Sequence, residues 1–210
     1  FFAYLLGIGK FMMIISAMDT GSGFEGMGAN REALYSMLVE PIFFILMGSL
    51  ALLTHYSSFY DLFVHIHYDS YLTYLIAALG VYLLLQIAMV ENSRLPIDDP
   101  KTHLELTMIH EVMVLDNSGF DMGLINLATG LKFALYGGLI ANFIFPVEWS
   151  LYAQIVVFIM VNLLFAVAVG LLESFRARNK LAKNPKWILM LSSISLIVFL
   201  CVIEITQKLL

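Results

Sequence analysis

The amino-acid sequence predicts an all-α, polytopic transmembrane helix bundle, and three observations carry that reading. First, 60% of the 210 residues are hydrophobic and 13% charged, whereas roughly a quarter of a soluble domain is charged. Second, six apolar stretches approach the roughly 20 residues that a helix needs to cross hydrocarbon. Third, Lys and Arg are concentrated in alternate loops between those stretches. A soluble bundle would need a polar face on every helix, and Val81 to Val90 and Ile155 to Gly170 have almost none. The few basic residues lie mostly in one short loop, which excludes a nucleic-acid groove. The single cysteine, Cys201, excludes an intrachain disulfide and a four-thiolate metal site.

The first span runs from Phe1 to Met18. It begins inside an apolar helix with no charged segment ahead of it, so the chain is read as lacking its N-terminal part. The span contains Lys10 near its middle. The loop Asp19 to Leu34 follows, with Gly21, Gly23, Gly26, Gly28, Asn30 and Arg31. Gly21, Gly23 and Gly26 spell G-x-G-x-x-G, but the dinucleotide motif needs a preceding strand and a membrane helix precedes this one. The expected element is a tight glycine-rich link whose backbone packs closely on something, with Asn30 as the N-cap of the next helix.

The second span, Tyr35 to Leu53, contains Glu40 followed by Pro41. Ten residues past Asn30 is about 15 Å along a helix. An acid at that depth is costly unless paired or hydrated, and marks a functional site by default; a snorkelling or singly hydrogen-bonded carboxylate is the bland alternative. Pro41 opens the local backbone ladder. The loop Thr54 to Ser70 carries His55, Asp61, His65, His67 and Asp69, read as interfacial side chains.

The third span, Tyr71 to Val90, leads into the loop from Glu91 to Asp121, with Arg94, Pro96, Asp98, Pro100 and Lys101 near its start. Two prolines predict a rigid, extended beginning. A helix is expected from Thr102 or His103 onward. His103, Thr107, His110 and Glu111 share one stripe of it, and Leu104, Met108, Val112 and Leu115 an adjoining apolar one. So apolar a helix outside the spans is expected to be buried against other protein. His and Glu are legitimate zinc ligands. However, Val114 occupies the second His position of H-E-x-x-H, so a hydrogen-bonded polar network is favoured. Histidines titrate near neutrality, which makes the stripe a candidate for proton transfer.

The fourth span, Met122 to Phe145, contains Lys132, which must pair with an acid, line water or lose its charge. Gly137-Gly138 beyond it allows another helix to approach closely. The fifth and sixth spans run from Trp149 to Leu172 and from Trp187 to Ile205. The odd loops hold eight Lys and Arg residues and the even loops none. The positive-inside rule therefore places the odd loops in the cytoplasm.

The run from Asp19-Thr20-Gly21 through Gly26-Met27-Gly28-Ala29-Asn30-Arg31-Glu32, with Glu40-Pro41 after it, resembles the large membrane-anchor subunit of group 4 membrane-bound nickel-iron hydrogenases: the formate hydrogenlyase, hydrogenase-4 and energy-converting hydrogenase type. Thr102-His103-Leu104-Glu105-Leu106-Thr107-Met108-Ile109-His110-Glu111 resembles that family more specifically. Glu91-x-x-Arg94-x-Pro96-x-Asp98 is shared with subunit one of complex I. The similarity extends over essentially the whole chain, read as one membrane domain with a docking loop over 91–121.

The resemblance implies eight spans in the full protein, with the first two missing here, and a bacterial or archaeal cytoplasmic (inner) membrane. It implies a subunit that catalyses nothing alone. Its role is to dock a peripheral hydrogenase module and couple electron transfer to proton or sodium translocation. The implied partners are nickel-iron hydrogenase large and small subunits, an iron-sulfur subunit and antiporter-like membrane subunits. The nickel-iron centre and iron-sulfur clusters would belong to those partners, and no cofactor is expected in this chain. Glu40, Glu91, Glu105, His110, Glu111 and Lys132 are then candidates for ion translocation. Asp19, Gly21, Gly26, Gly28, Arg31, Arg94, Pro96, Asp98 and His103 are candidates for the docking and structural loops; Arg94 and Asp98 also match charged positions of the hydrophilic path. Three alternatives remain: a complex I-type NADH or ferredoxin:quinone oxidoreductase subunit, a passive anchor, and a secondary transporter. The last would show paired helix breaks, and the sequence has one glycine-rich break without a second copy.

Overall fold

A computed structural model of the chain describes residues 2–66, 71–98, 109–144 and 150–209. The described residues form eight α-helices and no strand: α1 (Phe2–Asp19), α2 (Gly23–Thr54), α3 (Phe59–Val64), α4 (Tyr71–Glu91), α5 (His110–Met113), α6 (Gly119–Ile144), α7 (Leu151–Phe175) and α8 (Asn184–Leu209). A single 3-10 turn, Leu181–Lys183, leads into α8. Five helices, α2, α4, α6, α7 and α8, are long and apolar enough to cross a membrane. The sequence reads a sixth span in α1, whose 18 residues make about 27 Å of helix.

α2 is the central post, packing against α8, α1, α5 and α4. Its buried stripe of Tyr35, Val39, Ile42, Leu46 and Leu50 recurs every three or four residues, as one face of a helix does. α8 presents Ile188, Leu191, Ser195, Val198 and Val202 at coiled-coil-like spacing, all essentially inaccessible. Ser195 satisfies its hydroxyl within its own helix by donating to the Ser192 carbonyl at 2.8 Å. α7 lies at the edge, packed on α6. Its outward face of Ile155, Ile159, Leu163, Leu164 and Val167 is exposed, as a lipid-facing surface would be.

Two local expectations are corrected, and the outer loop gains an element. The glycine-rich loop over 19–34 is almost all helix, because α2 begins at Gly23. Only Thr20 to Ser22 link α1 to α2, and Gly21 turns the chain at φ +68°. Ser22, with extended dihedrals, is the N-cap residue, and Asn30 lies inside the helix. Glycine in a helix costs about 1 kcal/mol relative to alanine, and at Gly28 the absent side chain has a use. A Cβ there would stand 2.8 Å from the carbonyl oxygen of Ile109, so Gly28 lets α5 sit directly on α2. With 32 residues, α2 is about 48 Å long, and it continues through Pro41.

Next, the start of the third loop is turned rather than extended. Ser93 takes φ +50°, Arg94 N–H returns to the Met89 carbonyl at 2.8 Å, and Ile97 N–H donates to the Arg94 carbonyl at 3.2 Å. The first of these bonds uses a carbonyl left open at the end of α4. Finally, the outer loop contains a short helix, α3, whose Phe63 meets Phe143 edge-on with ring centroids 5.2 Å apart. Within the predicted docking helix, α5 spans His110–Met113, and His103, Glu105 and Thr107 lie outside the described residues. The described part is buried against α1 and α2 of this same chain.

Candidate functional site

Four charged side chains alternate in sign through the middle of the bundle. Lys10 Nζ lies 2.6 Å from Glu32 Oε1 and 3.3 Å from Glu91 Oε1. It also donates to Ser36 Oγ at 3.0 Å. The second oxygen of Glu91 lies 3.6 Å from Lys132 Nζ, which also donates to the Glu91 carbonyl at 3.4 Å. Glu32, Lys10 and Glu91 are all more than nine-tenths buried. Two acids and two bases cancel, and buried charges persist only with such partners.

Local structure explains each position. Glu32 and Ser36 are one turn apart on the buried face of α2, so carboxylate and hydroxyl stand together opposite α1. Glu91 is the last residue of α4. Its carbonyl belongs to the open last turn, where the helix dipole favours cations. Lys132 reaches that carbonyl from α6, and Lys10 reaches the side-chain carboxylate from α1.

A second cluster ties the cytoplasmic-side loops, as read from the sequence, to the helices. Asp98 accepts from Arg178 Nη2 at 2.9 Å and from the His110 N–H at 3.0 Å. The Asn179 N–H donates to the Pro96 carbonyl at 2.9 Å. Asn184 Nδ2 donates to the Ile97 carbonyl at 3.2 Å and to Tyr35 Oη at 3.3 Å. Arg94 lies 3.7 Å from Glu173 at the end of α7. The loop after α4 is thus clasped by the loop between α7 and α8, and Asp98 holds the first N–H of α5. Burial lowers the His110 pKa below the usual imidazole value, outweighing the opposing pull of Glu32 and Asp98.

Two cavities meet at the charges. A cavity of about 540 Å3 between α1, α5 and α6 is lined by Lys10, Glu32, Glu91, His110 and Lys132, with leucines of α1 and α6 on its apolar side. Another, of about 350 Å3, is lined by Gly7, Lys10, Glu40, Glu91 and Tyr136. Lys10 and Glu91 border both.

Of the residues singled out for ion translocation, the structure brings Glu91, Lys132 and His110 together. Glu111 is partly buried beside His110, and Glu105 lies outside the described residues. Glu40 is exposed and borders the second cavity; it does not join the ion-paired chain. Of the docking set, Arg94, Pro96 and Asp98 belong to the clasp, and Gly28 to the α2–α5 contact. Gly21 makes the turn, Asp19 ends α1 exposed, and Arg31 is partly buried. A Cβ at Gly26 would meet nothing within 4 Å, so no close approach requires that glycine. His103 lies outside the described residues.

Sequence reasoning missed Lys10 and Glu32 as site residues, and Arg178 as the partner of Asp98. A signal for Glu32 existed. Ser22-Gly23-Phe24-Glu25 fits a capping-box start, and a helix starting there aligns Glu25, Gly28, Glu32, Tyr35 and Val39 on one buried face. The other pairings have no local signature.

Comparison with known proteins agrees with this architecture. A family model described as NADH dehydrogenase matches residues 1–203. Hydrogenase-4 component C of Escherichia coli (strain K12) is 30% identical over 188 residues, covering 86% of this chain and 57% of the relative. Formate hydrogenlyase subunit 4 of the same organism is 25% identical over 193 residues, covering 87% and 61%. The chain therefore spans less than two thirds of the length of these relatives.

Proposed function

This chain belongs to the NADH dehydrogenase family, and on that premise we propose that it is the membrane subunit of a redox-driven, ion-translocating hydrogenase complex. In this reading it docks the peripheral hydrogenase module and couples electron transfer there to movement of protons or sodium ions. The relatives support the hydrogenase branch, since both are named as components of hydrogenase systems. The observation that carries the coupling role is the buried chain Glu32–Lys10–Glu91–Lys132. A charge at the centre of a membrane helix costs about 2.5–3.5 kcal/mol on insertion scales. A fold that needed only an anchor would have little reason to bury Glu32, Lys10 and Glu91 and to set the partly buried Lys132 beside them. Paired and bordered by cavities, such groups can carry protons.

The proposed partners are nickel-iron hydrogenase large and small subunits, which would hold the metal centre, an iron-sulfur subunit and antiporter-like membrane subunits. The eight-to-zero distribution of Lys and Arg supports a cytoplasmic position for the clasped loops, in a bacterial or archaeal inner membrane. The test is the number of ions translocated per electron pair by the whole complex in proteoliposomes. Glu91→Gln and Lys132→Met are expected to lower it. An unchanged ratio in both would leave a passive anchor. A complex I-type role is favoured by the description of the matching family. Mass spectrometry of the co-purified subunits separates the two: a nickel-binding large subunit decides for the hydrogenase.

A further inference from the structure

The two cavities share Leu6, Lys10 and Glu91 on their walls, and neither Lys10 nor Glu91 depends on the contact between them alone. Lys10 keeps Glu32 at 2.6 Å and Ser36 at 3.0 Å. Glu91 keeps Lys132 at 3.6 Å. The contact between them, 3.3 Å, can therefore open without leaving either charge unpaired, which is the condition that makes breaking a buried pair costly.

We propose that Lys10 is the gate of the ion path, its ammonium closing the passage between the His110-side cavity and the Glu40-side cavity by bridging Glu32 and Glu91. This inference rests on the translocation reading and adds the element that controls it. The groups facing Glu91 are Lys10 from α1, Glu32 and Glu40 from α2, His110 from α5, and Lys132 and Tyr136 from α6. A proton arriving on Glu91 removes its negative charge, so Lys10 settles on Glu32 and Ser36 and the two cavities join. The proton then leaves Glu91 into the cavity that Glu40 also lines. Glu91 is again an anion, Lys10 returns to it, and the passage shuts. One proton is gained and then lost by Glu91, and no electron is needed. The charge that moves thereby opens its own way, and closure behind it opposes backflow.

The experiment measures cavity access and pumping separately, on the assembled complex in inverted membrane vesicles. Cys201→Ser with Gly7→Cys places one thiol in the Glu40-side cavity. A small, charged, membrane-impermeant thiol reagent probes it from the cytoplasmic face. Lys10→Met is expected to raise the labelling rate about tenfold, as loss of one barrier contact would. Equal rates with and without Lys10→Met overturn the gate, whatever the pumping ratio does. Lys10→Arg keeps the charge and serves where the methionine variant fails to assemble. Its planar fork binds two carboxylates at once. Slow labelling together with loss of ion translocation then supports the gate, and wild-type translocation overturns it. An unchanged ion ratio in Glu91→Gln, read in proteoliposomes, is the separate result that sinks the translocation reading itself.

Discussion

Lys10 and His110 are the residues whose environment most changes their expected behaviour. Lys10 alone would be an unexplained charge in a short membrane helix; with Glu32, Ser36 and Glu91 around it, it becomes the centre of the site. His110 lies at the start of α5, outside the membrane spans, and burial lowers its pKa. The native state therefore binds this proton less readily than the unfolded chain. The sign follows from linkage: the stabilising contribution is complete above the unfolded value of about 6.5 and is lost as pH falls through the lowered native value. Hydrogen-exchange protection of the amides of Val112 and Met113 is expected to fall on acidification through that window. His110→Asn should flatten the dependence, and an unaltered profile would mean that another group controls α5. Breaking the neighbouring pair has a larger consequence. Asp98→Ala removes the ion pair with Arg178 and the acceptor of the His110 N–H. Losing a buried ionic partner costs about 3–5 kcal/mol. Because Arg178 retains some exposure, the lower end of that range is expected, read as a drop in the thermal midpoint of the detergent-solubilised complex.

At the scale of elements, two glycine contacts set how helices approach. Gly28 admits the backbone of α5 onto α2. Because the atom in the way is a carbonyl oxygen, 2.8 Å from where a Cβ would stand, Gly28→Ala must move the backbone of α5. Faster exchange of the α5 amides is expected, and an unchanged α5 would show that the contact is not needed. Gly137 does the same for α6 and α7, where a Cβ would collide with Asn162 Oδ1, and Phe158 packs over Gly138. The sequence signalled the second case, since a Gly-Gly pair in an apolar helix points to close packing. The first was hidden. Glycines in quick succession suggest a loop, yet Gly23, Gly26 and Gly28 lie inside α2, where at Gly28 contact with α5 offsets the poor helix propensity. The same pattern concealed Glu32: in a loop it is one more polar residue, and on a helix it is a turn away from Ser36.

Across the whole molecule, the alternation of basic loops predicts orientation. Lys180 is exposed in the loop between α7 and α8, and unlike Arg178 it takes no part in the Asp98 ion pair. Lys180→Cys, in a Cys201→Ser background, should be labelled by impermeant reagents in inverted vesicles and not from outside intact cells; the reverse pattern would overturn the cytoplasmic placement. The sequence by itself determined the all-helical membrane class and the suspicion attached to Glu40 and Lys132, while Glu91 was singled out only through the family resemblance. Hydropathy, span length and the cost of an intramembrane charge are properties of a local stretch, legible without knowing what packs beside it. Tertiary structure decided which charge meets which. Lys132 and Glu91 are 41 residues apart in sequence, and Arg178 and Asp98 are 80 apart. No periodicity links such positions. They meet because α2 forms the central post, α4 ends where α1 and α6 converge, and the loop before α8 folds back over the end of α4. A buried charge offsets its desolvation only with a partner at contact distance, so the partner is set by where the packed helices end.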